Sequence, residues 1–253
     1  MVLGLQTMIR WSFIEFDLVG STQQVARERA ALGAPEGTTI IASAQASGTG
    51  RMGRTWVSPV GGLYMSFILR PGCLRRPELT SLIAAAAAVD GIKDATGLAP
   101  TIRWPNDITM RGRKLGGAIA EAASRGAEVD WVVVGVGVNC NALPSGGRDL
   151  ETESTSIAQE LGKEVEIPNV MHSILNSFSA SYERWQSGED MKEDWSSKVG
   201  TIGKEVSIKL KTGENQFSCV AEGIDAEGNL VVSLEGETVA VSAEDLERLR
   251  ERF

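Results

Sequence analysis

Apolar residues along this chain fall into short runs broken by glycine, and the runs change character near residue 200. Ser21-Thr22-Gln23-Gln24 opens a helix predicted to reach Leu32 and stop at Gly33, with Ser21 and Gln24 spaced as a capping box. Thr38–Ala44 is β-branched and apolar and predicts a buried strand, and Leu63–Leu69 predicts the next. Pro77 to Thr96 is an alanine-rich helix ended by Gly97. Thr101–Trp104 and Ile108–Met110 read as short strands around a Pro105-Asn106-Asp107 turn, followed by a tight turn at Arg111-Gly112-Arg113. Lys114–Ala123 and Asp130–Val138 predict a hairpin of buried strands, and Ser154–Leu161 and Pro168–Val199 predict helices.

Beyond Gly200 the period shortens. Lys204–Leu210, Phe217–Ile224, Leu230–Leu234 and Thr238–Val241 predict closely spaced strands of a small β-barrel or sandwich, and Ser242 with Asp245 predicts a short terminal helix. The expected division is therefore 1–197 and 198–253. Only ten residues precede Trp11, too few for a helix-turn-helix.

The loop between the first two strands concentrates unusual chemistry. Gly48-Thr49-Gly50-Arg51-Met52-Gly53-Arg54-Thr55-Trp56 combines backbone freedom, two guanidinium groups and a flat ring. From Gly37 to Pro77 there are Arg51, Arg54, Arg70, Arg75 and Arg76 and no acidic residue, although the net charge is −8. A positive segment in an acidic protein fits a local anion site and speaks against general nucleic-acid affinity. Taken alone, the loop could also be a plain polar connection.

A second cluster, Arg103-Trp104-Pro105-Asn106-Asp107 followed by Arg111, Arg113, Lys114, Gly116 and Gly117, sets four cations beside one carboxylate. Asp107 could help hold Mg²⁺ near phosphates. Gly116 and Gly117 leave strand backbone bare to a ligand, or else mark tight packing. Asn139 and Asn141 end a strand, where asparagine also forms turns. The phosphate-binding G-x-x-x-x-G-K-[ST] is absent, and Gly135-Val136-Gly137 lacks the third glycine of a dinucleotide fingerprint.

Cys73, Cys140 and Cys219 are far apart and odd in number, which excludes a disulfide framework and a cysteine zinc site. The lone histidine, His172, leaves no material for a triad or a multi-histidine metal site. Without that general base, the chemistry must rest on positioning and charge. No signal peptide or membrane-length apolar run is present, so a cytoplasmic protein is expected.

The ordered set Ser21-Thr22-Gln23, Gln45-x-x-Gly48-x-Gly50-Arg51-x-x-Arg54-x-Trp56-x-Ser58-Pro59, Trp104-Pro105-Asn106-Asp107, Lys114-Leu115-Gly116-Gly117 and Gly135-x-Gly137-x-Asn139-x-Asn141 resembles the biotin–protein ligases from about Trp11 onward. The resemblance implies an α+β fold: a mixed, largely antiparallel sheet with helices, as in the class II synthetase and biotin ligase catalytic domains, plus an SH3-like C-terminal β-barrel. It implies that biotin and MgATP give biotinyl-5′-AMP, and that a lysine of a biotin carboxyl carrier protein then takes the biotinyl group. It places Ser21, Thr22, Gln23, Gln45, Gly48, Gly50, Gly116 and Gly117 around biotin. Arg54, Trp56, Asn106, Asp107 and Asn139 go to the adenylate and Mg²⁺, and Arg51 and Lys114 to both substrates as catalytic groups.

Gln23 stands where the family commonly has asparagine, and Thr49 where many members have arginine. With so few residues before Trp11 and no membrane-length apolar run, a ligase without the regulatory DNA-binding module of some members and without a membrane partner is expected, and the resemblance leaves room for a homodimer. A lipoate–protein ligase and a non-catalytic biotin or adenylate sensor are the competing readings.

Overall fold

The structure is a computed structural model that describes residues 9–71, 76–126, 128–143, 154–212, 216–234 and 236–251. Cys73 and Arg75, singled out above, lie outside them.

A seven-stranded sheet organises the larger part of the chain. Its strands are β1 (Ser12–Val19), β2 (Thr38–Gln45), β3 (Leu63–Leu69), β4 (Thr101–Arg103), β5 (Asp107–Met110), β6 (Arg113–Arg125) and β7 (Glu128–Val138), in the order β1-β2-β3-β7-β6-β5-β4. Strands β1 and β2 are parallel, joined through helix α1 (Thr22–Ala31), and every other neighbour is antiparallel. Strand β1 was not anticipated. Its exposed positions include Phe13 and Leu18, which blurs the inside–outside alternation that would announce it.

Side-chain parity assigns the two faces of the sheet. Leu63, Met65 and Phe67 of β3, with Val134, Val136 and Val138 of β7, join the buried cluster that also holds helices α2 (Thr80–Thr96) and α4 (Ile167–Gln186). The alanine run Ala84–Ala88 allows a close helix pair, and a Cβ on Gly91 would stand 2.5 Å from the Ile174 nitrogen. On the opposite face α1 covers Ile40, Ile68 and Val133 with Ala26 and Ala30. The rest of that face, toward β6, carries Gly117, Gly135 and Gly137 and stays open.

Helix α3 (Ile157–Leu161) begins later than predicted, because Ser156 caps it by accepting from the Gln159 amide at 3.2 Å. The expected run Pro168–Val199 is two helices, α4 and α5 (Lys192–Lys198), separated around Gly188, whose φ is +86°. The predicted capping box does not form. Ser21 Oγ is buried without a partner, and Gln24 donates to Glu28 instead.

The second sheet is antiparallel, with β8 (Glu205–Leu210), β9 (Gln216–Ile224), β10 (Leu230–Leu234), β11 (Glu237–Val241) and β12 (Leu246–Glu251) in the order β11-β10-β9-β8-β12. The predicted terminal helix is strand β12. Ser242 does accept from the Asp245 amide at 3.0 Å, but the capped turn leads into a strand paired with β8. This α+β arrangement with an SH3-like second sheet agrees with the expected fold class. The two parts share one buried core, and the Trp104 indole N–H donates to the Gly228 carbonyl at 3.1 Å. Among the described residues no helix is long and apolar enough to cross a membrane.

Candidate active site

A cleft of about 670 Å³ lies over the open half of the large sheet, and β12 closes its far side. Ser21, Thr22, Gln23, Gln45, Gly50, Arg51, Arg54, Trp56, Asn106, Asp107, Lys114, Gly117 and Asn139 all line it. Of the sequence-predicted site residues, Gly48 and Gly116 do not.

One end is neutral and rich in hydrogen-bonding groups. Gln45 Oε1 accepts from the Thr22 amide at 2.8 Å and from Thr22 Oγ1 at 3.1 Å, and its amide nitrogen donates to Ser58 Oγ at 2.8 Å. Thr22 Oγ1 also lies 2.9 Å from Ser66 Oγ. Gln23 donates to the Val133 carbonyl at 3.1 Å, which leaves its own oxygen over Gly135 with no partner. Ser21 Oγ and Gln23 Oε1 are thus two buried polar atoms in the cleft lining with unused hydrogen-bonding capacity.

The opposite end is charged. Lys114 Nζ is 2.6 Å from Asp107 Oδ1, and Arg103 reaches Asp107 Oδ2 at 3.4 Å. Asn106 donates to the Ala118 carbonyl and accepts from Arg51 at 3.3 Å. The second Arg51 nitrogen donates to the Ala243 carbonyl at 2.7 Å, so the glycine-arginine loop is anchored to the second sheet. Burial lowers the Arg51 pKa, Asp107 opposes that shift, and Arg54 adds to it. Arg54 itself is exposed.

The loop is a small hairpin of its own. The Trp56 amide donates to Gly48 O at 2.8 Å, the Gly50 amide donates to Arg54 O at 2.7 Å, and Thr49 bridges Thr55. Met52 takes a left-handed φ of 56° at the tip. A Cβ on Gly48 would stand 2.5 Å from Trp56 O, so that glycine serves loop closure. The Trp56 indole lies against bare strand, since a Cβ on Gly137 would come within 2.7 Å of its nitrogen, and Lys114 Nζ sits 5.3 Å from the ring centre.

Some residues have other work. Asn139 donates to Thr155 O at 3.0 Å and its amide to Leu115 O at 2.8 Å, which ties the segment before α3 to the sheet. Arg111 and Arg113 pair with the buried Glu160 at 3.4 and 2.5 Å, so two cations of the second cluster turn away from the cleft. Arg70 holds the Ala30 and Ala34 carbonyls at the end of α1. Sequence reasoning missed Ser66, Arg103 as a partner of Asp107, and all of β12. Ser66 had a signal, being a polar residue inside the apolar run Leu63–Leu69.

Comparison with known proteins agrees with this geometry. Residues 15–139 match the Biotin/lipoate A/B protein ligase family and residues 201–244 match the Biotin protein ligase C terminal domain. The chain is 35% identical over 251 residues to the bifunctional ligase/repressor BirA of Bacillus subtilis, covering 96% of this chain and 76% of that protein. It is 31% identical over 243 residues to the biotin–[acetyl-CoA-carboxylase] ligase of Mycobacterium tuberculosis, covering 91% and 86%. In fold it is similar to the Aquifex aeolicus biotin protein ligase in complex with biotin and ATP, with a TM-score of 0.82, 24% identity, and coverage of 95% and 99%. With these sequence matches running through both sheets and the cleft between them, the chain belongs to the biotin protein ligase family.

Proposed function

We propose that this protein is an ATP-dependent biotin–protein ligase that forms biotinyl-5′-AMP and transfers biotin to a lysine of a biotin carboxyl carrier protein. One observation carries the reading. Neutral hydrogen-bonding groups at Ser21, Thr22, Gln23 and Gln45 face the cations Arg51 and Lys114 across a floor of Gly117, Gly135 and Gly137. A ligand with a polar, uncharged ring, an apolar tail and a terminal carboxylate fits that sequence of environments.

In the first step the biotin carboxylate attacks the α-phosphorus of ATP, a new P–O bond forms, and pyrophosphate departs with the electrons of the broken bond. No proton needs removing from the nucleophile, which accounts for chemistry without a catalytic histidine. Lys114 and Arg51 offset charge on the carboxyl and phosphoryl oxygens. Asp107 and Asn106 fix where those cations stand. Arg54 lies at the mouth for the outer phosphates, and Trp56 flanks the adenine. In the second step a neutral carrier lysine attacks the carbonyl of the mixed anhydride, AMP leaves, and the amine proton passes to solvent. The loop from Gly48 to Trp56 shields the anhydride from water.

Mg²⁺ enters this reading with the nucleotide. Among the described residues no cluster of three acidic, histidine or cysteine side chains could hold a metal alone. Asp107 fits a nucleotide-borne ion as a single carboxylate ligand, since Mg²⁺ takes most of its oxygens from phosphate and water. We also propose that the chain divides into two domains at about residue 197.

The test is incubation with labelled biotin, MgATP and a purified carrier domain, with a parallel arm of labelled lipoate. Label on the carrier lysine from biotin is the expected result. Label from lipoate but not from biotin would overturn the proposal, as would biotin binding without ATP turnover.

A further inference from the structure

Asn106 and Asp107 hold the site's two catalytic cations, yet the turn that carries them is tied from outside the large sheet. Just before that turn, the Trp104 amide donates to Thr201 Oγ1 at 3.1 Å. Thr201 is fully buried, and its hydroxyl donates to Glu251 Oε1 at 2.8 Å. Lys204 pairs with the other Glu251 oxygen at 2.7 Å, where the glutamate side chain is only 5% exposed. The Gly200 amide donates to Ile102 O at 2.9 Å, so residues 199–201 run along β4 as one more ladder contact.

A hydroxyl has a single proton. Because Glu251 takes it, the oxygen of Thr201 is left to accept from Trp104, and the charge on Glu251 strengthens the arrangement. We propose that Thr201 and Glu251 are positioning residues for adenylate formation. Glu251, the last residue of β12, and Thr201, in the turn before β8, fix the turn whose Asn106 and Asp107 aim Arg51 and Lys114; Glu251 borders the cleft, whereas Thr201 stands behind its lining. This rests on the ligase reading above. It gives Glu251 of β12, acting through Thr201, a part in the first chemical step beyond lining the cleft.

The proposal separates the two ends of the cleft. The side-chain hydrogen bonds of Thr22, Gln45 and Ser66 run among themselves and to Ser58, at the other end of the cleft. Thr201→Val keeps the shape of threonine and removes both hydrogen bonds. It is expected to lower kcat for biotin-dependent pyrophosphate release by about tenfold or more, since a small misplacement of reacting groups is costly. The Kd for biotin alone, measured by calorimetry without ATP, should stay within about twofold. Thr201→Ser restores the hydroxyl and should restore most of the rate. Glu251→Gln keeps an acceptor for Thr201 but loses the charge, and should fall between.

Wild-type pyrophosphate release by Thr201→Val would overturn the proposal. So would a loss of biotin affinity in step with the loss of rate, which marks general loosening. If Thr201→Val does not fold, Glu251→Gln decides: a lowered kcat with unchanged KM for ATP and intact biotin affinity supports the relay, while a wild-type rate, or a raised KM for ATP that marks Glu251 as a direct nucleotide contact, overturns it. A wild-type protein that releases no pyrophosphate would overturn the ligase reading itself and the relay with it.

Discussion

Gly116 and Gly117 are neighbours on β6, and the structure gives them opposite purposes. A Cβ at Gly117 would find only Asn106 O and Asp107 Oδ1, both at 3.5 Å, which is ordinary contact. Gly117→Ala should therefore fold with stability within about 0.5 kcal/mol of the parent. The added methyl projects into the cleft, where on the ligase reading biotin would pack against the bare strand. Forcing a methyl into such a contact costs about 1–3 kcal/mol, or a biotin Kd raised by about 5- to 150-fold.

At Gly116 the same methyl would stand 2.6 Å from the Gly137 carbonyl oxygen, on the partner strand's backbone, with Ile108 at 3.2 Å. Backbone cannot rotate away, so β6 and β7 must spread. A cost of about 3 kcal/mol is expected, which lowers Tm by about 6–12 °C in a chain of this size. Thermal unfolding and biotin calorimetry on both variants make the test. A Gly117→Ala protein that binds biotin like the parent, or melts as early as Gly116→Ala, would refute the assignment of faces.

Lys114→Ala should leave the fold intact, because Arg103 still pairs with Asp107, and should cost about 2–4 kcal/mol of transition-state stabilisation in adenylate formation; a wild-type single-turnover rate would show Lys114 misassigned. Arg51→Ala removes the anchor to Ala243 and should release biotinyl-adenylate, seen as indiscriminate lysine labelling of bystander protein; unchanged retention would count against a shielding loop. Burial pushes the Cys140 thiol up from 9.0 to about 12, so above pH 9 the unfolded chain loses this proton while the folded one keeps it. Stability should then fall as pH rises from about 9 to about 12, with a slope approaching about 1.4 kcal/mol per unit from this group. Cys140→Ala should flatten that alkaline slope in urea titrations, and an identical slope would place the thiol in a less buried setting.

Much of the fold was legible because its elements announce themselves locally. The β-branched run at Thr38–Ala44 and the alanine helix ending at Gly97 depend on little beyond their own residues. What failed depended on distant partners. Ser242 with Asp245 has the spacing of a helix cap, yet pairing with β8 makes Leu246–Glu251 a strand. Ser21 has the spacing of a cap, but its hydroxyl lines the cleft with no capping bond. For the site, the motifs located the cleft but did not sort its members. No local spacing indicates that Arg113 meets Glu160 rather than the cleft, or that Gly48 and Gly116 serve packing. Such distinctions depend on which side of a strand faces what.

The anchor between Arg51 and Ala243 joins residues 192 positions apart. During synthesis the ribosome releases the neutral end of the cleft, the glycine-arginine loop, Arg51 and Lys114 long before β12 exists to close it. A nascent chain would therefore carry the reagents of adenylation with no far wall. Its loop would stay unanchored until the second sheet folds. On the proposed mechanism, assembly order would then act as a safeguard: a reactive anhydride would not be enclosed, and so not made efficiently, until β12 has folded against the cleft.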